Sequence, residues 1–373
     1  MSSSGRLTND PWRGPRRRRT ILALAGLALL GSCEDCGAGG EDSFPDTWDS
    51  GDGTADEECT PCPCWAVACM DLSDDLEVFG LYDLDGGHDA SGDGELDVVV
   101  GAYAADGSSE HGGTAYLFSG PLEGHYESSE MDASFTLDRL QRLVHVEMLG
   151  DMDGDGVAEV AFLNAYSGDG AYQAEVAVLL GPWTSAETVA TADAVISGFT
   201  MEYSATSRHP LVAAGDQNGD GLADLAQGAF WGDEDLGPEL VVFHGPVSDS
   251  LTLDDADAAY YIPNVSGNEY ERYVRLMVGE HDLTGDGLPD LLVSVPESGE
   301  DDIYLLPGGQ TGALDLETSA AASIRGDGWE LCFSDQSLAV GGDTNGDGHP
   351  DLAYVSRNAV SPGGEYKIGR AHV

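Results

Sequence analysis

Basic side chains are scarce in this chain. Lys and Arg together number 15 against 68 Asp and Glu, and the formal net charge is −53. Phosphate repels such a polyanion, so nucleic acid is excluded as the expected partner. Long apolar runs are also missing. The apolar segment Ile21 to Leu30 has about ten residues, too few to cross a bilayer as a stable helix. No long segment carries a helical period of 3.6 residues. Catalytic signatures are absent as well: there is no G-x-S-x-G elbow, no H-E-x-x-H, no P-loop and no dinucleotide fingerprint. The nine His fall at no metal-ligand spacing. Acid pairs suited to glycoside hydrolysis carry no information here, because acids are everywhere. An enzyme is therefore not expected. What is present is 41% hydrophobic residues, enough for a core, and 51 Gly.

The few basic residues are concentrated. Arg6, Arg13 and Arg16 to Arg19 precede residue 20, and the apolar stretch Ile21 to Leu30 follows. A charged start, a short apolar stretch and a small-residue exit describe an export signal. The exit, Leu30-Gly31-Ser32-Cys33, resembles a bacterial lipobox, where cleavage precedes a lipid-bearing Cys. Residues 1–32 are thus expected to be a lipoprotein signal peptide, with Cys33 lipidated and the domain anchored to the bacterial cell envelope outside the cytoplasm. Residues 33–58 are acidic and poor in apolar side chains, as in a flexible linker. Residues 59–70 form a Cys-rich segment holding Cys59, Cys62, Cys64 and Cys69. Export implies an oxidising compartment, so disulfides are expected, with the pairing left open. A zinc site would need a nearby His or a second well-spaced CxxC.

Beyond residue 71 short apolar runs alternate with Gly/Asp turns, which predicts an all-β fold. One phrase recurs five times: Asp89 to Asp97, Asp151 to Glu159, Asp216 to Asp224, Asp282 to Asp290 and Asp343 to Asp351. The starts lie 62, 65, 66 and 61 residues apart. A period near ~60 residues suits a four-stranded propeller blade. Apolar strands ending in Gly enter several loops, as in Leu211 to Gly215, and strands such as Leu96 to Ala102 leave them.

The order Phe79-Gly80, then an Asp/Gly loop, then Val100-Gly101-Ala102 resembles the FG-GAP repeat of integrin α-subunit propellers and their bacterial relatives. The likeness covers residues 71–366. It implies a β-propeller of FG-GAP blades with seven blades in the complete protein, of which five are visible. The tail Lys367 to Val373 matches one reading frame of a common sequencing adapter and contains the only Lys. Residues 367–373 are expected to be an artefact, with the gene cut inside the fifth unit.

The loop pattern D-x-[DNST]-G-D-G-x-x-[DE] suits Ca²⁺, a hard cation that takes six to eight oxygens. Positions 1, 3, 5 and 9 offer side-chain oxygens, position 7 offers its carbonyl, and Gly at 4 and 6 permits the turn. The expected ligands of loop 1 are Asp89, Ser91, Asp93, Glu95 and Asp97, and those of loop 2 are Asp151, Asp153, Asp155, Val157 and Glu159. Loop 3 offers Asp216, Asn218, Asp220, Leu222 and Asp224, and loop 4 offers Asp282, Thr284, Asp286, Leu288 and Asp290. Loop 5 offers Asp343, Asn345, Asp347, His349 and Asp351. Loop 2, with four carboxylates, should bind most tightly. Loops 1 and 4, with Ser91 or Thr284 at position 3, should bind more weakly. An EF-hand needs an acid at position 12, where Val100, Phe162, Gln227, Val293 and Tyr354 stand instead.

The expected function is a calcium-binding, lipid-anchored propeller that binds protein or glycan at the envelope. The alternative is a propeller appended to a hydrolase or lyase whose catalytic part lies beyond the truncation.

Overall fold

The computed structural model describes residues 68–71, 81–102, 113–137, 141–167, 172–188, 191–201, 211–228, 237–262, 274, 276–297, 300–324, 338–344, 346, 349–355 and 368–371. The signal peptide, Cys33, the linker, Cys59 to Cys64 and the Phe79-Gly80 pair lie outside the described residues.

The chain is all-β and is built from a repeated sheet. Unit 1 follows an initial strand β1 (Ala68–Asp71) and consists of β2 (Leu81–Gly86), β3 (Val98–Ala102), β4 (Thr114–Phe118), β5 (Gly124–Glu127) and β6 (Ala133–Thr136). Unit 2 has β7 (Gln141–Gly150), β8 (Glu159–Ser167), β9 (Tyr172–Leu179), β10 (Ala186–Thr188) and β11 (Ala194–Met201). Unit 3 has β12 (Leu211–Gly215), β13 (Asp224–Gly228), β14 (Leu240–Phe243), β15 (Asp249–Thr252) and β16 (Ala258–Tyr261). Unit 4 has β17 (Leu276–His281), β18 (Asp290–Glu297), β19 (Glu300–Leu306), β20 (Gly312–Asp315), the one-turn helix α1 (Leu316–Ser319) and β21 (Ala322–Ile324). Unit 5 has β22 (Leu338–Gly341), β23 (Asp351–Val355) and β24 (Ile368–Ala371).

Within units 1 to 4 the four main strands form an antiparallel meander. The short strand between the third and fourth main strands leaves its own sheet. β10 pairs in parallel with β6, β15 with β11 and β20 with β16. Units 2, 3 and 4 thereby each hydrogen-bond to the outer edge of the unit before. β5 makes the same parallel pairing, and its partner is β1. β1 thus occupies the place that β6, β11 and β16 hold in the other junctions.

In units 2 to 4 the central strands read as continuous apolar runs because both faces of the sheet are covered. In β8, Val160 and Phe162 enter the core between units 1 and 2, while Ala161 and Leu163 enter the core between units 2 and 3. In β14, Val241 and Phe243 face unit 2, while Leu240 and Val242 face unit 4. Phe135 and Phe162 stack across the first junction, with ring centroids 4.1 Å apart. Fully burying such side chains stabilises by about 1.5–3 kcal/mol each, and this holds the stacked sheets together.

Polar ties reinforce the junctions. The Asp85 carboxylate on β2 accepts from the Met148 N–H on β7 at 2.7 Å, and Glu147 on β7 accepts from the Ala213 N–H on β12 at 2.9 Å. An Asp before the fourth main strand recurs too: Asp132, Asp193 and Asp257 accept from the N–H groups of Ser119, Leu180 and His244. Among the described residues no helix is long and apolar enough to cross a membrane.

Candidate metal centres

All five Asp/Gly loops join the first strand of a unit to its second. They lie between β2 and β3, β7 and β8, β12 and β13, β17 and β18, and β22 and β23. In each loop the described glycines at positions 4 and 6 adopt φ between 77° and 95°, where a side chain is strained. This lets the chain curl around the carboxylate at position 1.

Position 1 organises the curl. Asp216 Oδ1 accepts from the N–H groups of Gly219 (2.7 Å) and Asp220 (3.0 Å), and its Oδ2 accepts from Gly221 (2.8 Å). Asp89 and Asp282 repeat the three bonds. Asp151 accepts from Gly154 and Gly156, and Asp343 from Gly346. Position 5 caps the exit: Asp93, Asp155, Asp220 and Asp286 each accept from the N–H two residues on.

Two loops gather three carboxylates. Ligand oxygens of Asp89, Asp93 and Asp97 lie within 4.8 Å of one another, as do those of Asp151, Asp153 and Asp155. In loop 3 Asn218 replaces one acid and donates its amide to Asp220 at 2.9 Å. The position-3 hydroxyls differ. Ser91 donates to Asp89 at 3.4 Å, while Thr284 donates to Asp290 at 3.3 Å. Asn345 and Asp347 of loop 5 lie outside the described residues.

Position 9 does more than its spacing suggests. Asp97, Glu159, Asp224, Asp290 and Asp351 are all buried. One oxygen of each accepts from the backbone at position 2, position 3 or both. For Asp97 the donors are Ala90 (2.9 Å) and Ser91 (2.7 Å), for Glu159 Met152, and for Asp224 Gln217 (2.8 Å). Asp290 accepts from Leu283 and Thr284, and Asp351 from Thr344. In units 1 to 4 the other oxygen accepts from the Gly that follows the third main strand: Gly120, Gly181, Gly245 and Gly308. The position-9 carboxylate therefore pins the loop to its own sheet. The recurring Gly after the third strand was the sequence signal for this pairing.

Burial pushes Glu159 up from 4.5 to about 7, against the opposing hydrogen bonds from Met152 and Gly181 and with help from the nearby charges of Asp153 and Asp151. Burial raises Asp224 and Asp290 in the same way. Position 7 also has a side-chain role. A Cβ placed on Gly92, Gly154, Gly219 or Gly285 would lie 3.2–3.5 Å from Val157, Leu222, Leu288 or His349 of the next loop. Each position-7 side chain covers the loop before it.

The donor sets fit a hard cation. They consist of oxygens alone, and the position-1 and position-9 carboxylates each keep an oxygen that accepts a single N–H, as Asp216 Oδ2 does from Gly221 and Asp97 Oδ1 from Gly120. Three carboxylates within one turn also repel when nothing neutralises them. The chain matches no family model, and no curated protein matches it.

Proposed function

We propose that the chain is a calcium-stabilised β-propeller of the FG-GAP type, lipid-anchored outside the cytoplasm, whose role is to bind protein or glycan and not to catalyse. The observation that carries the calcium reading is the pair of three-carboxylate groups, Asp89 with Asp93 and Asp97, and Asp151 with Asp153 and Asp155, at equivalent places in consecutive units. The propeller reading draws on the repeated sheets, the side-by-side cores and the parallel strand that units 2, 3 and 4 each lend to the unit before. It draws also on β1. Its sequence, Ala68-Cys69-Met70, has the pattern Ala, any residue, large apolar found in the fourth strands at Ala133-Ser134-Phe135, Ala194-Val195-Ile196, Ala258-Ala259-Tyr260 and Ala322-Ser323-Ile324. In a closed ring β1 would serve as the fourth strand of the unit that meets unit 1.

The metal's role in this reading is structural. A cation in each loop would offset the repulsion among its carboxylates, at positions 1, 5 and 9 and in loop 2 also at position 3, and so stabilise the turn between the first two strands. The test is calorimetric titration of Ca²⁺ into the chelator-stripped protein, with thermal unfolding in Ca²⁺ and in excess EDTA. Saturation at about 100 times Kd would stabilise by about 2.7 kcal/mol per site and raise the melting temperature. An unchanged melt together with no binding heat rejects the calcium reading.

A further inference from the structure

We propose that loops 1, 2 and 3 bind calcium as one coupled run, and that the coupling is broken between loops 3 and 4 by Pro289. This rests on the calcium reading above and adds to it how the sites communicate.

Besides the position-7 packing common to consecutive loops, loops 1 and 2 and loops 2 and 3 share one repeated backbone hydrogen bond. The Ala158 N–H, at position 8 of loop 2, donates to the Asp89 carbonyl, at position 1 of loop 1, at 2.8 Å. The Ala223 N–H, at position 8 of loop 3, donates to the Asp151 carbonyl of loop 2, also at 2.8 Å. The donor belongs to the peptide joining positions 7 and 8. The carbonyl of that same peptide is the main-chain oxygen the calcium reading assigns to the cation. A trans peptide is rigid and directs its C=O and N–H to opposite sides. A cation that holds the Val157 carbonyl in loop 2 thus also fixes the Ala158 N–H against loop 1. Drawing electron density toward the cation makes that N–H a stronger donor. The acceptor is the backbone of Asp89, the residue whose side chain organises loop 1. Ordering either loop therefore lowers the cost of ordering its neighbour, which is positive coupling.

Loop 4 has Pro289 at position 8 and loop 5 has Pro350. Proline has no N–H, so neither can make the bond. Across loops 3 and 4 the Gln217 side-chain amide instead donates to the Pro289 carbonyl at 2.8 Å, while the Gly309 N–H donates to the Gln217 carbonyl at 2.7 Å as the Trp183 N–H does to the Ala90 carbonyl across loops 1 and 2. Gln217 is not a proposed ligand, and its amide meets the far side of position 8. Contact is kept there by this side chain and by Leu288 packing on Gly219, without a hydrogen bond from the peptide joining positions 7 and 8.

The experiment uses the full chain and Ca²⁺ itself, followed by calorimetry. The wild type should show a cooperative phase with a Hill coefficient above 1 and a separate non-cooperative phase. Ala158→Pro with Ala223→Pro removes both donors by placing the residue that loops 4 and 5 already carry at this position. The number of sites should stay the same, while the cooperative phase weakens by about five-fold or more in affinity and its Hill coefficient falls to 1. Pro289→Ala restores the missing N–H and should enlarge the cooperative phase by one site. This second variant adds a donor and trims only the Pro289 ring atoms that lie beside Gly215, so it reads out even if the double proline variant folds poorly. Isotherms of both variants that superimpose on the wild type would overturn the coupling and leave the calcium reading intact. A wild type that releases no heat with Ca²⁺ removes both.

Discussion

Each loop asks its acids to do different jobs, and the position in the phrase decides which. Asp97 and Asp93 are both acids of loop 1 and belong to one three-carboxylate group, yet Asp97 is buried and Asp93 is exposed. Asp97→Ala strands the N–H groups of Ala90, Ser91 and Gly120. An unpaired buried donor costs about 1–3 kcal/mol, so the variant should lose about 2–4 kcal/mol in urea unfolding even in EDTA. Asp93→Ala should leave the EDTA stability within about 0.5 kcal/mol and weaken calcium binding. Equal losses for the two variants in EDTA would contradict this division. The spacing of the acids was readable, since the phrase recurs five times. The burial of position 9 was not, because the Gly that holds it stands about twenty residues away (Gly120 for Asp97).

At the scale of the element, the turn after the third main strand is as constrained as the Asp/Gly loop. A Cβ on Gly120 would sit 2.2 Å from the Leu96 carbonyl oxygen, a backbone atom with no freedom to move aside. At Gly94 a Cβ would meet nothing within 4 Å, but its φ of 87° disfavours any side chain. Gly94→Ala should therefore cost about 1–2 kcal/mol, from backbone conformation alone. Gly120→Ala must displace the Leu96 backbone at the exit of the Asp/Gly loop and should cost about 3 kcal/mol or more. Denaturant midpoints of the two variants check the order, and the reverse order would place the strain in the wrong turn. Sequence periodicity pointed to strands at most of these places. It did not reveal the short parallel strands β10, β15 and β20, which are only three or four residues long, mostly exposed, and carry at most one Leu each, too little for an apolar signature. Those strands exist because the neighbouring sheet offers an open edge.

At the scale of the whole molecule the formal charge of −53 and the buried carboxyls act in the same direction. Glu159 rises to about 7 in the folded protein from its ordinary 4.5. The folded state therefore binds more protons than the unfolded one between these values, and stability falls as the pH rises through them. The contribution of Glu159 is fully present below pH 4.5 and is lost as the pH passes about 7. In EDTA, Glu159→Gln should lack this component, so the wild type loses stability relative to the variant over that window. With calcium present the trend should reverse, because the cation favours ionised ligands. Melting temperatures across pH in EDTA and in calcium check both signs. A wild type that gains on the variant as the pH rises in EDTA would show that Glu159 is not held protonated.

By itself the sequence determined the strand-rich class, the five-fold phrase, its spacing and the chemistry of its oxygens. These are local properties, set by alternation, turn residues and ligand type within a dozen positions. Tertiary structure alone decided that position 9 turns inward and that units 2, 3 and 4 each lend a strand to the unit before. It also decided that β1, inside what reads as a Cys-rich segment, pairs with β5. The physical reason is that a carboxylate's burial and a strand's partner depend on what lies across the gap. Here the partners are backbone groups some twenty to sixty residues away, and no local pattern says which distant N–H or strand edge a group will meet.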